Sequence, residues 1–175
     1  MSLDFPPQPT IIIADDEPGV RRLVVEIITS SIPQAKFIEA GNGKEALDLV
    51  RSTNPDLVIL DIMMPLVDGY AVLDDLRVLR SSDWMPVVIM TGFGDQHLEA
   101  DLFRIGADSY LEKPVGQLKL QGTVWALLRL KARCDELRVQ ADRMGADVDK
   151  VVQALDRESG IDADGLLNKA LIVRS

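Results

Sequence analysis

Apolar residues in this chain come in short continuous runs that alternate with stretches where they are spaced. Thr10-Ile11-Ile12-Ile13-Ala14, Lys36-Phe37-Ile38-Glu39-Ala40, Leu57-Val58-Ile59-Leu60, Pro86-Val87-Val88-Ile89-Met90 and Ser109-Tyr110-Leu111-Glu112 are brief and mostly β-branched or aromatic, the pattern of strands. Between them, Val20, Leu23, Val24, Ile27 and Ile28 recur at helical spacing, as do Ala46, Leu47, Leu49 and Val50, and then Tyr70, Val72, Leu73, Leu76 and Leu79. A further helix is predicted from Gln96 to Ile105, closed by Gly106. Pro33, Asn54-Pro55, Pro65 and Gly69 mark the turns. A strand followed by a helix, repeated through the chain, predicts an α/β fold: a parallel sheet with helices on both faces.

The last helix is different. On a wheel of about 100° per residue, Leu118, Gly122, Trp125 and Leu128 make one apolar face, and Leu120, Val124, Leu127 and Leu130 another, nearly opposite. A helix apolar on two sides is buried on two sides. The expectation is that one side packs on the sheet, with Gly122 allowing close approach, and the other takes a partner. That second side continues as Leu127, Leu130, Cys134, Leu137, Ala141, Met144, Val148, Val151 and Leu155, at alternating spacings of three and four. This is a heptad seam. An unbroken helix over 116–157 would be about 60 Å long. It predicts a parallel coiled-coil homodimer rooted in the fifth helix. The seam is imperfect: Cys134 and Ala141 are small, Gly145 costs about 1 kcal/mol against Ala, and Arg133 would face Arg138 of the partner helix. A helical hairpin turning near Gly145 or Gly160 is the rival arrangement. The pattern divides the chain into residues 8–130, a coiled-coil-like extension over 131–158, and a short amphipathic helix within 159–175. That last piece reads as a linker toward an output region, a docking end, or a cap on the coiled coil.

Composition narrows the class. Apolar content of 47% in 175 residues supports a real core plus an appendage. No apolar run approaches the length of a membrane span, and no export signal opens the chain. Cys134 is alone, which rules out an internal disulfide and fits a reducing cytoplasm. Residues 1–115 hold 19 acidic and 9 basic groups, residues 116–175 hold 9 and 10. The acidic first part argues against direct nucleic-acid binding, and no DNA-reading helix-turn-helix is visible in the second.

The candidate chemistry follows the strands. Asp15 and Asp16 come directly after the first, Asp61 after the third, Thr91-Gly92 after the fourth and Lys113 after the fifth. In a parallel sheet those ends share one edge. A single Asp after a strand is usually a turn former, and Thr-Gly or Lys-Pro is usually a loop; the ordered set is what carries the signal. Two like charges ~4 Å apart repel by about 4 kcal/mol at an effective dielectric near 20, so three carboxylates call for a proton or a cation. An all-oxygen site with few protein ligands suits Mg²⁺. Asp61 is then expected as a nucleophile toward a phosphoryl group, with Lys113 neutralising that group, the Thr91 hydroxyl donating to it and Gly92 leaving room for it. His97, the sole histidine, has no second His or Cys beside it and reads as a solvated side chain.

Residues 8–130 resemble the receiver domain of bacterial two-component response regulators. The resemblance rests on the Asp15-Asp16 pair, Asp61 in Leu60-Asp61-Ile62-Met63-Met64-Pro65 with Asp68-Gly69, Thr91-Gly92, Tyr110 and Lys113-Pro114. It implies a flavodoxin-like three-layer fold of five βα units with strand order 2-1-3-4-5. It implies phosphorylation of Asp61 by a sensor histidine kinase or phosphotransfer protein. Mg²⁺ would be held by Asp16, Asp61 and the Met63 backbone carbonyl, with Asp15 binding mainly through water. Thr91 and Lys113 would contact the phosphoryl group. Thr91 and Tyr110 would act as the switch, passing the signal to the face made by the fourth helix, fifth strand and fifth helix. Met63 and Phe93, each two residues beyond a site residue, cannot orient a water by hydrogen bonding, so slow self-dephosphorylation is expected. The chain is not expected to be an enzyme beyond its own phosphotransfer. A phosphatase of the haloacid-dehalogenase type needs an acid where Met63 stands. A receiver fold working as an interaction module without phosphate is the remaining alternative.

Overall fold

The computed structural model describes residues 7–64, 69–79, 84–92, 101–102 and 104–159, for residue 79 and residues 146–159 by backbone only. Five strands, β1 (Thr10–Ala14), β2 (Lys36–Ala40), β3 (Leu57–Asp61), β4 (Val87–Thr91) and β5 (Ser109–Glu112), form one sheet in the order β2-β1-β3-β4-β5. Every pairing is parallel. Helices α1 (Pro18–Thr29), α2 (Gly43–Thr53), α3 (Gly69–Leu79) and α4 (Gln117–Ser159) connect or follow the strands. Residues 101, 102, 104 and 105 are helical between β4 and β5, so α4 corresponds to the fifth helix of the sequence pattern.

Local chemistry sets several boundaries. Pro18 opens α1, where its missing N–H costs nothing. Asn42 caps α2 by accepting from the Glu45 N–H at 2.9 Å, and Glu45 reaches back to the Gly41 N–H at 2.7 Å. Asn54 ends α2 in the left-handed region at φ 51°, with Pro55 preventing further helix.

The strand period of two divides the core. Ile12, Val58, Leu60 and Ile89 point to the face covered by α2 and α3, packing with Leu47, Val50, Leu73 and Leu76. Ile11, Ile13, Leu57, Ile59, Val88 and Met90 point to the face covered by α1 and the start of α4, packing with Val24, Ile28, Leu120, Val124 and Leu128. β3 and β4, central in the sheet, are buried at every residue.

The packing of α4 corrects the wheel. Its buried face is Leu120, Val124 and Leu128, a mixture of the two expected faces, and Leu118 is 84% exposed. Gly122 is exposed, and a Cβ there would meet nothing within 4 Å, so it mediates no close approach. A spacing of four keeps successive residues on one side of the helix, and that side packs in one cluster with Val24 and Ile28 of α1 and the strands beneath. Gln121 adds a polar anchor, donating from Nε2 to the Ile27 carbonyl at 2.9 Å and to Ser30 Oγ at 2.8 Å.

The chain divides into two units, Met1–Arg133 and Cys134–Ser175. In the first, Leu130 is 51% exposed; in the second, Leu137 and Met144 are 49% and 70% exposed. Helix α4 runs past Gly145 without a turn, as far as Ser159. A hairpin turning near Gly145 is therefore not formed. Phe93, His97, Pro65, Asp68, the hairpin point Gly160 and the predicted helix within 159–175 lie outside the described residues. Among the described residues no helix is long and apolar enough to cross a membrane.

Candidate functional site

In a sheet of this order the connection from β1 leaves to one side and that from β3 to the other. A crevice opens between their carboxyl ends. Asp15 and Asp16 follow β1 and Asp61 ends β3, so the topology places all three at that crevice. Their carboxylate oxygens lie within 4.8 Å of one another; Asp15 and Asp61 are buried and Asp16 is exposed.

The two buried carboxylates are held alike. Asp15 Oδ1 accepts from the Glu17 N–H at 2.9 Å, and Asp61 Oδ1 accepts from the Met63 N–H at 3.0 Å. Each is a local turn in which an Asp bonds the backbone two residues on. Each therefore presents Oδ2 to the crevice, where Lys113 Nζ stands 2.7 Å from Asp15 Oδ2 and 2.6 Å from Asp61 Oδ2. The Lys113 N–H donates to the Thr91 carbonyl at 2.8 Å, extending the β4–β5 ladder by one step and fixing where the side chain starts. Burial pulls the Lys113 ammonium down, but its ion pairs with Asp15 and Asp61 outweigh this and hold its pKa above the ordinary 10.5.

One ammonium facing two carboxylates, with a third beside them, leaves the crevice short of positive charge. Asp15 Oδ2 is buried and meets the Lys113 ammonium at 2.7 Å without regular hydrogen-bond geometry. A small divalent cation fits that deficit: the donors are all oxygen, they lie together, and Asp16 opens the site to solvent.

Thr91 is buried at the end of β4, and Gly92 follows it, exposed, with open space where a Cβ would stand. Tyr110 lies on β5, half-buried against the α2–α3 side of the core. Met63 is 59% exposed.

Gly69 has a structural reason that its turn-forming role did not reveal. Its N–H donates to the Ile62 carbonyl at 3.0 Å, and a Cβ there would stand 2.6 Å from the Asp61 carbonyl oxygen. The start of α3 thus lies directly on the backbone that carries Asp61. Arg21 was missed altogether. From α1 its guanidinium donates to the Asp15 carbonyl at 2.7 Å and to Glu39 Oε2 at 2.8 Å. Nothing in the sequence separates it from its neighbour Arg22.

Residues 11–124 match the family described as Response regulator receiver domain. The Probable transcriptional regulator ycf27 of Porphyra purpurea is 38% identical over 119 residues, covering 68% of this chain and 47% of that protein. The chain belongs to the response regulator receiver family. Protein-glutamate methylesterase/protein-glutamine glutaminase 1 of Syntrophomonas wolfei is 33% identical over 116 residues, covering 65% of this chain and 32% of that protein. Among solved structures, the receiver domain of the Francisella response regulator 1452 superposes with a TM-score of 0.63 at 28% identity, covering 69% of this chain and 97% of that one. The chain spans about half the length of the ycf27 relatives it matches, 47% for the Porphyra protein and 49% for that of Guillardia theta. This receiver domain therefore carries the flavodoxin-like fold with the long helix α4 appended to it.

Proposed function

We propose that this receiver domain is a phosphorylation switch of a two-component system, taking a phosphoryl group on Asp61 from a histidine kinase or phosphotransfer protein. The observation that carries the reading is the pairing of Lys113 with both Asp15 and Asp61 over a three-carboxylate cluster. Asp61 Oδ2 attacks phosphorus, the phosphorus–nitrogen bond of the phosphohistidine breaks, and the imidazole leaves with the electron pair. The product is an aspartyl phosphate. Lys113 is already within reach of the Asp61 carboxylate and follows the incoming negative charge. Thr91, at the adjacent strand end, supplies a hydroxyl. Asp15, Asp16, Asp61 and the Met63 carbonyl would hold Mg²⁺, which supplies neutralising charge for a dianionic group entering an acidic crevice.

Readout runs through Thr91 and Tyr110 to β5 and α4. The phosphoryl group is a local charge that biases an element with two arrangements. Leu130 in the first unit and Leu137 and Met144 in the second are exposed seam residues of α4, which supports a homodimer through a coiled coil. The domain acts on no substrate besides its own phosphoryl group, and it works in the cytoplasm with its kinase.

The test is loading with acetyl phosphate or beryllofluoride in Mg²⁺. Wild type is expected to take up label and change its mass in solution, Asp61→Ala to do neither. Because the Met63 side chain cannot orient a water, label is expected to persist for minutes or longer. Absence of Mg²⁺ binding and of any response in wild type defeats the reading; decay within seconds defeats the claim about lifetime.

A further inference from the structure

The residue that the site's family chemistry does not account for is Arg21. The Asp15 backbone is held on both sides, by the Ala40 carbonyl and by the Arg21 side chain. Its N–H donates to the Ala40 carbonyl of β2 at 3.1 Å, and its carbonyl accepts from Arg21 Nη1 at 2.7 Å. The second contact matters for the next residue. A peptide group is planar, so the Asp15 carbonyl lies in one plane with the N and Cα of Asp16. Fixing that oxygen fixes the direction in which Asp16 leaves the strand.

Asp16 needs such a constraint. Asp15 and Asp61 are buried and tied by the turns described above, whereas Asp16 is exposed. Its aim depends on the peptide it hangs from. Arg21 is itself aimed, because its Nε donates to Glu39 Oε2 at 2.8 Å, and Glu39 belongs to β2, the same strand that receives the Asp15 N–H. The Arg21 side chain is only 15% exposed, so this fork is partly shielded from solvent. An ammonium on a flexible stem cannot reproduce a planar two-pronged donor.

Resting on the phosphoswitch reading, we infer that Arg21, braced by Glu39, is a positioning residue for the cation site: it sets the Asp15–Asp16 peptide so that the Asp16 carboxylate faces the Asp15 and Asp61 carboxylates. It does not ligate the cation and does not touch the phosphoryl group.

The sign of the effect separates this from simple electrostatics. Removing a positive charge near a cation site lowers repulsion, so charge alone predicts tighter Mg²⁺ binding in Arg21→Gln. Loss of positioning predicts weaker binding. Calorimetric titration of the full chain with Mg²⁺ alone, beside urea unfolding without metal, reads both. Arg21→Gln is expected to weaken Mg²⁺ affinity about tenfold, equivalent to about 1.4 kcal/mol. Arg21→Lys, which keeps the charge and loses the fork, is expected to weaken it several-fold. Unchanged or tighter binding in Arg21→Gln overturns the inference, whatever happens to stability. If Arg21→Gln fails to fold, Arg21→Lys decides alone: weaker binding supports positioning and unchanged affinity overturns it. If wild type binds Mg²⁺ and takes up phosphoryl while both variants match it, only the role of Arg21 falls. If wild type binds no Mg²⁺, the phosphoswitch reading falls with it.

Discussion

The two edges of the sheet use aspartate in opposite ways. At the carboxyl edge, Asp15 and Asp61 turn one oxygen each onto local backbone and leave the other facing Lys113. At the amino edge, Asp56 and Asp108 spend themselves on the sheet. The Asp56 N–H donates to the Thr10 carbonyl at 2.8 Å while Asp56 Oδ2 accepts from the Thr10 N–H at 2.7 Å. Asp108 repeats this with Val87, at 2.9 and 2.8 Å, and its Oδ1 also accepts from Trp84 Nε1 at 3.1 Å. Each Asp stands just before a strand and ties down the first residue of its neighbour.

The electrostatic consequence differs accordingly. Burial pushes the Asp108 carboxyl above its ordinary 3.8, and the hydrogen bonds from Val87 and Trp84 only partly oppose this. Neutral donors satisfy geometry without cancelling charge. At the other edge a cation is already recruited, and three carboxylates still outnumber it. The lesson is that these carboxylates mark a site where their second oxygens converge on one cation, and not where they tie down a neighbouring strand.

Three substitutions can break this contrast. The largest effect is expected from Lys113→Ala, which leaves Asp15 and Asp61 facing each other unpaired. Removing one partner of a buried ion pair costs about 3–5 kcal/mol, and the opening beside Asp16 puts this case near about 3 kcal/mol. The loss should appear in urea unfolding without metal and shrink as Mg²⁺ is added. A variant as stable as wild type without metal would show that the carboxylates do not strain one another.

Asp108→Ala comes next. It strips the Val87 N–H and the Trp84 Nε1 of their acceptor, and one unsatisfied buried donor costs about 1–3 kcal/mol. Added Mg²⁺ should not restore the loss, because among the described residues the acidic cluster lies at the other edge. Recovery with Mg²⁺ would erase the distinction between the edges.

The smallest effect belongs to Asp108→Asn. The amide oxygen can still accept from Val87, one bond to Trp84 is lost, and the burial penalty of a charge is relieved, so the change at neutral pH is expected within about 1 kcal/mol. Its pH dependence is the sharper test. A raised carboxyl pKa means the folded state holds the proton more tightly. The contribution of Asp108 is thus fully present below the ordinary 3.8 and lost as pH rises through the raised value. Wild type should gain on Asp108→Asn as pH falls from 7 toward 4 in parallel urea titrations. A constant difference across that range would mean Asp108 is not strained by burial.

How far the sequence could be read follows from what each feature depends on. The five strands and the positions of Asp15, Asp16, Asp61, Thr91 and Lys113 were legible. A parallel sheet sends every carboxyl end to one edge, so the residue after each strand is placed by topology alone. The ladder bonds of Asp56 and Asp108 were not legible. They join residues 46 and 21 apart in the chain, and the register that brings them opposite Thr10 and Val87 is a property of paired strands. Arg21 was hidden for the same reason: its partners, Asp15 and Glu39, meet only once β2 lies beside β1.

Helix α4 shows the division most clearly. Sequence by itself determined that a long helix follows β5 and that it carries apolar residues on more than one side. Periodicity encodes both, because they are properties of a single helix. Only the tertiary structure decided which side is buried. Leu120, Val124 and Leu128 pack into the core on the α1 side of the sheet, and Leu118 was left in solvent. A sequence records where a side chain could face; the shape of the neighbouring surface settles where it does.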